Sequence, residues 1–313
     1  RPQKEEIQMH YEVVADGLRF PEGPIAMPDG STLLVEIERG TARRVDPEGK
    51  VSVVADLGGG PNGLAIGPDG RCYVCNNGGM EWHERDGMLI PGHQPAGYRG
   101  GSIQAVALDT GQVETLYTHC EGEPLKAPND LVFDRHGGMW FTDNGKRRAR
   151  TEDVGAVYYA KADGSFISEQ VYPCSHANGV GLSPDEQWLY VAETMVGRVW
   201  RYNLPEPGRA AVPAGLLNGE SLLYGAPGFD LYDSLAVEEC GNVCVATLAR
   251  GGITVIDPQG NLVEHVPLPD PGTTNICFGG SDRRTAYVTL GCMGQLVKLN
   301  WPRPGLALNF SPE

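Results

Sequence analysis

The chain has 313 residues, a formal net charge of −15, 41% hydrophobic side chains, 43 glycines and 24 prolines. Such acidity argues against nucleic acid as a partner, because phosphate binding asks for basic patches. No run of about 18 apolar residues offers a membrane span, and so much glycine and proline implies a soluble β-rich chain with many tight turns.

In chain order, Arg1 to His10 is polar and lacks the apolar centre of a signal peptide. A leader removed before Arg1 would leave the same sequence. Tyr11 to Ala15 reads as a strand, and from Glu22 onward one pattern recurs six times. The first three copies start Glu22-Gly23-Pro24-Ile25-Ala26, Asn62-Gly63-Leu64-Ala65-Ile66 and Asn129-Asp130-Leu131-Val132-Phe133. The others start Asn178-Gly179-Val180-Gly181-Leu182, Asp233-Ser234-Leu235-Ala236-Val237 and Asn275-Ile276-Cys277-Phe278. Several run into a turn such as Pro28-Asp29-Gly30 or Pro68-Asp69-Gly70, and a second β run follows, as in Met139-Trp140-Phe141. The copies recur at intervals of about 40 to about 70 residues, room for one four-stranded blade each with insertions in some. The expectation is an all-β, six-bladed β-propeller of four-stranded blades, with residues 1–313 forming one domain. After Asn275 only about three strands remain, so Tyr11 to Ala15 is expected to complete the last blade and close the ring.

Between the second and third copies lies an insertion, roughly 78–101, rich in glycine and proline and carrying Trp82, His83, His93, Tyr98 and Arg99. It leaves from the edge where the repeat starts meet and reads as a lid or specificity wall, or else as a surface excursion packed by its own aromatics. The basic cluster Lys146-Arg147-Arg148 with Arg150 reads as a solvated turn. The eight cysteines do not form a disulfide framework. Cys72, Cys75, Cys244, Cys277 and Cys292 sit in apolar runs as small buried hydrophobes, and Cys72 and Cys75 lack the further ligands of a zinc site. A reducing, cytoplasmic compartment is expected.

In a propeller the first strand of each blade lines the central channel, so the six repeat starts converge on the axis. Two carboxylates and four carboxamides then meet where polar groups without partners are costly. A hard divalent cation resolves this. Calcium takes six to eight oxygen ligands with tolerant geometry, so Glu22 and Asp233 would balance its charge while Asn129 and Asn178 donate oxygens. Magnesium, manganese or zinc are alternatives to calcium, although the absence of His and Cys disfavours zinc. A hydrogen-bonded plug of polar side chains and water is the reading without a metal. Asn62 and Asn275 fall to the substrate side or behind the ligands. Residues after the second strands, among them Glu36, Asn76, Asn77, Asp143, Asn144, Glu193, Thr194 and Thr247, are expected on the same face. Candidate substrate contacts are thus Asn62, Trp82, His83, His93, Tyr98, Asp143, His176, Glu193 and Asn275. Neither G-x-S-x-G nor a Walker loop occurs.

The segments Phe20-Pro21-Glu22-Gly23-Pro24, Pro128-Asn129-Asp130, Ala177-Asn178-Gly179-Val180, Asp233-Ser234-Leu235 and Thr274-Asn275-Ile276-Cys277-Phe278-Gly279-Gly280 resemble the senescence marker protein (regucalcin)/gluconolactonase family. The likeness runs in the family's order over roughly residues 18 to 300. It implies a six-bladed propeller with a catalytic divalent metal on Glu22, Asn129, Asn178 and Asp233. It also implies that Asp233 accepts and donates the proton, and that the reaction is hydrolysis of sugar lactones, or in a related branch of organophosphorus fluoridates. Ala127 stands where the animal sugar lactonases carry an arginine, and Thr289-Leu290-Gly291 stands where the fluoridate branch carries a histidine. The expectation is a metal-dependent hydrolase of a small polar lactone or ester. Alternatives are phosphotriester hydrolysis and a propeller whose calcium serves structure alone.

Overall fold

The computed structural model describes residues 10–213 and 219–312. Six antiparallel sheets follow one another around an axis, and each starts from an inner strand: Pro21–Ala26, Pro61–Ile66, Pro128–Phe133, Ala177–Leu182, Leu231–Val237 and Thr273–Gly279. Consecutive inner strands are neighbours in space, and the last lies beside the first, so the ring closes. This is the expected six-bladed propeller. Five blades have four strands; in the fourth blade both Arg209–Ala211 and Leu222–Gly225 pair with the third strand, Arg198–Glu206. Tyr11–Ala15 pairs with Gln295–Asn300 in the register Tyr11 to Leu299, and completes the sixth blade as expected.

No single core exists. Alternation along the middle strands sends successive side chains to opposite faces, and each face packs on the adjoining blade. Val74 packs with Leu33 and Val35 of the first blade, whereas its neighbours Tyr73 and Cys75 pack with Leu131 and Phe141 of the third. Six such layers fill the seams between blades. All eight cysteines are free; Cys72, Cys75 and Cys244 are buried as expected, while Cys277 and Cys292 are only partly covered.

The two ends of the channel differ. The repeat-start residues lie at one end, where the inner strands begin. At the other end, residues 301–312 cross the ends of the inner strands. Leu306 N–H donates to Val237 O (2.9 Å) and Asn309 Nδ2 to Phe133 O (3.0 Å). Glu238, wholly buried, anchors the start of this segment by accepting from Trp301 Nε1 (2.7 Å), Arg303 Nε (2.6 Å) and Asn242 Nδ2 (2.8 Å).

Candidate metal centre

Each inner strand loses register with its neighbour at or beside the repeat-start residue, for example between Glu22 and Ile25, Pro128 and Leu131, and Thr273 and Asn275. A bulge bends the strand and re-aims the side chain beside it. The device repeats around the axis, and Glu22, Asn62, Asn129, Asn178, Asp233 and Asn275 are all buried there. Glycine follows three of them because neighbouring backbones nearly touch. A Cβ on Gly23 would stand 2.5 Å from Asn62 O, and one on Gly179 would stand 2.7 Å from Asp233 O.

In the third blade the equivalent position carries Asp130 instead. Its carboxylate accepts from Leu131 N–H at 2.9 Å, and it joins Glu22 and Asp233 as a third buried acid in the channel. Sequence reading passed over Asp130; the signal was an aspartate where three other copies have glycine. Burial raises all three acids, and Asp130 adds to the shifts of Glu22 and Asp233. Burial pushes Glu22 well above the usual carboxylate range, and Asp233 and Asp130 push it further. Burial raises Asp130 to about 7. Burial raises Asp233 to about 8, opposed by the Asn178 carboxamide and reinforced by Asp130. No lysine, arginine or histidine pairs with any of the three among the described residues.

The amides are arranged around these acids. Glu22 Oε2 accepts from Asn275 Nδ2 at 2.7 Å, and Glu22 Oε1 accepts from Ser234 Oγ at 3.2 Å. Asn178 Nδ2 donates to Thr194 Oγ1 at 3.1 Å. Asn129 Oδ1 is buried and has no hydrogen-bond partner. A buried carbonyl oxygen without a partner and buried carboxylates without a counter-charge are groups that a hard cation would satisfy. The donor set of Glu22, Asp233, Asn129 and Asn178 therefore fits a divalent cation. Among the described residues no group of three or more His, Cys, Asp or Glu side chains could by itself hold a metal ion, so a site here draws on the carboxamides as well.

The other candidates divide. Asn62 lies in the ring, beside Gly23. Asp143 is fully engaged with backbone, accepting from Lys126 N–H (2.7 Å), Ala127 N–H (2.7 Å) and Gly145 N–H (2.9 Å), and so fixes the approach to Asn129. Glu193 accepts from Trp200 Nε1 at 2.8 Å. His176 adopts a left-handed backbone (φ 52°), with Nδ1 3.0 Å from Ser175 Oγ and Nε2 3.2 Å from Glu152. Burial lowers its pKa. Several residues after the second strands also serve the backbone. Asn76 holds Gly60 and Gly78 N–H groups, while Glu36 pairs with Arg39 and Arg43.

The insertion docks along one side of this face. Trp82 packs on Phe20 with ring centroids 5.1 Å apart, Arg19 pairs with Glu84 at 2.8 Å, and Leu89 N–H donates to Cys292 O at 2.9 Å. Tyr98 donates to Lys126 O at 2.6 Å. Trp82 and Tyr98 thus anchor the insertion to the propeller, whereas His83 and His93 are exposed. One expectation is corrected: Lys146 is not in a solvated turn. It is 4% exposed, because the insertion covers it.

Residues 20–291 match the SMP-30/Gluconolactonase/LRE-like region. The chain belongs to this family. Among curated relatives, lactonase drp35 of Staphylococcus saprophyticus is 30% identical over 260 residues, covering 82% of this chain and 72% of the relative. Lactonase drp35 of Staphylococcus aureus is 29% identical over 264 residues, with the same two coverages of 82% and 72%. Solved structures share the fold. A gluconolactonase from Xanthomonas campestris superposes with TM-score 0.73 at 23% identity, over 94% of this chain and 90% of the other. A calcium-binding regucalcin from Agrobacterium tumefaciens gives 0.73 at 18% identity, over 97% of each chain. No described helix is long and apolar enough to cross a membrane.

Proposed function

We propose that this protein is a hydrolase that opens a small lactone, using a divalent cation held by Glu22, Asn129, Asn178 and Asp233. The observations that support the cation are the buried carboxylates Glu22, Asp130 and Asp233, without a cationic partner among the described residues, and the partnerless Asn129 Oδ1. Lactone as substrate is supported by family membership and by the lactonases among the relatives. An all-oxygen donor set favours calcium, with magnesium or manganese compatible. Bound there, such an ion supplies a Lewis acid for the lactone carbonyl.

The chain's own residues supply the rest. Asn275 and Ser234 hold Glu22 in one orientation, and Thr194 holds the amide end of Asn178. Asp233 accepts the proton of the attacking water and returns one to the leaving alkoxide oxygen. Asn62 and His176 contact substrate at the mouth, while Trp82 and Tyr98 shape its wall from the insertion. Eight free thiols accord with a cytoplasmic setting. The test is proton release from a panel of sugar and aromatic lactones, by chelated protein and after adding calcium, manganese or zinc. Cation-dependent turnover of at least one lactone is expected. No turnover with any ion would refute the proposal.

A further inference from the structure

Lys146 is a buried ammonium outside the proposed ion site and outside the proposed chemistry. It belongs to the connection 144–155 of the third blade, and its Nζ donates to Gly79 O of the insertion at 2.6 Å. The same ammonium lies 5.1 Å from the centroid of the Tyr98 ring, also in the insertion. A desolvated cation over an aromatic face is among the stronger contacts of its kind. Asp143 and Asp153 lie close enough to favour its charge, yet neither makes an ion pair with it. The insertion is therefore the principal partner of this cation.

Neighbouring bonds join the same two loops. Gln94 N–H donates to Arg147 O at 2.9 Å, and Arg148 Nη1 donates to Gln94 Oε1 at 3.2 Å. Tyr98 reaches past the lysine to Lys126 O, and the N–H groups of Lys126 and Ala127 are held by Asp143. Ala127 leads through Pro128 to Asn129. A continuous set of contacts thus runs from the insertion, through Lys146 and Tyr98, to the strand that presents Asn129.

We infer that Lys146 is a positioning residue that ties insertion 78–101 to the third blade and so fixes the wall of the mouth beside Asn129. The tie stands on contacts alone; its effect on turnover rests on the lactonase reading. Amide hydrogen exchange on the whole chain, comparing wild type with Lys146→Met and Tyr98→Leu, tests the tie directly. Methionine keeps the length and apolar stem of lysine while removing the charge and the donor. Each variant is expected to lose about tenfold protection in 78–101 while the fourth and fifth blades stay unchanged. The double variant is expected to lose less than the sum of the two single losses, since both remove the Lys146–Tyr98 contact while each also removes a hydrogen bond of its own. Unchanged exchange in the insertion, or loss spread evenly over six blades, would overturn the inference. With a lactone that wild type hydrolyses, Lys146→Met is expected to raise KM several-fold and leave kcat within about twofold. A fall in kcat at constant KM would overturn the positioning role and place Lys146 in the chemistry. Should wild type hydrolyse no lactone, the proposed function fails, while the exchange experiment still decides the role of Lys146.

Discussion

Removing the cation should make the protein lose stability as pH rises, the reverse of ordinary acid denaturation. Asp130 shows why. Its folded pKa is about 7 against an ordinary value of 3.8, so between those limits the folded chain holds a proton that the unfolded chain has released. Stability then falls with rising pH, because the native state binds more protons. A difference of about three units corresponds to about 4 kcal/mol lost once pH exceeds 7. Glu22 and Asp233 are shifted in the same direction and deepen the loss. His176 and His265 work against it, since burial lowers both and a histidine kept neutral gains stability as pH rises through its unfolded value. Asp130→Asn isolates the carboxylate, because an asparagine can still accept from Leu131 N–H, and the histidines are common to both proteins. For a chain of this size 1 kcal/mol moves Tm by roughly 1.5 °C, and about two of the three units fall between pH 5 and 8, so chelated wild type should fall by roughly 4 °C more than Asp130→Asn over that range. Added calcium should restore most of the loss at pH 8 and little at pH 5. Differential scanning calorimetry of both proteins, chelated and calcium-loaded, measures this. Identical profiles for wild type and Asp130→Asn in chelator would refute the argument that an uncompensated acid cluster occupies the channel.

Asp233→Asn should reduce lactone turnover by about 10²-fold or more, read as kcat at saturating calcium; near-normal turnover would remove Asp233 as the base. Gly179→Ala places a methyl 2.7 Å from Asp233 O and from Leu235 N, backbone atoms that cannot step aside, and should cost about 3 kcal/mol by denaturant titration together with weaker calcium binding. Arg303→Met leaves the wholly buried Glu238 without its cation and should cost about 3 kcal/mol, with lactone kinetics unchanged because the pair lies at the opposite end of the channel.

The ring of six was legible because the repeat is local: a polar residue, an apolar run and, in several copies, a turn recur whatever the rest of the chain does. The closing strand was legible by subtraction, since the last repeat ran out of chain. Asp130 was not, for it depended on recognising that the position after the ring residue also faces the channel when a bulge re-aims the strand. Lys146 was misread because a basic triplet looks solvated, and only the long-range docking of the insertion buries its first member while Arg147 stays exposed. Asp143 and Glu193 lie on the expected face but bond to backbone and to Trp200, a distinction that residue type and spacing do not carry.

The pairing of Tyr11 with Leu299 has a consequence for how the molecule is made. The strand that completes the ring is synthesised well before its partner, with five blades between them. Until Gln295–Asn300 leaves the ribosome, the sixth blade is incomplete and Tyr11–Ala15 is a strand without a sheet. Contacts of such sequence separation are slow to form, and unpaired edges invite association with other chains. The nascent protein therefore passes through a long interval as an open arc, and its greatest exposure to misassembly comes before the final blade snaps shut.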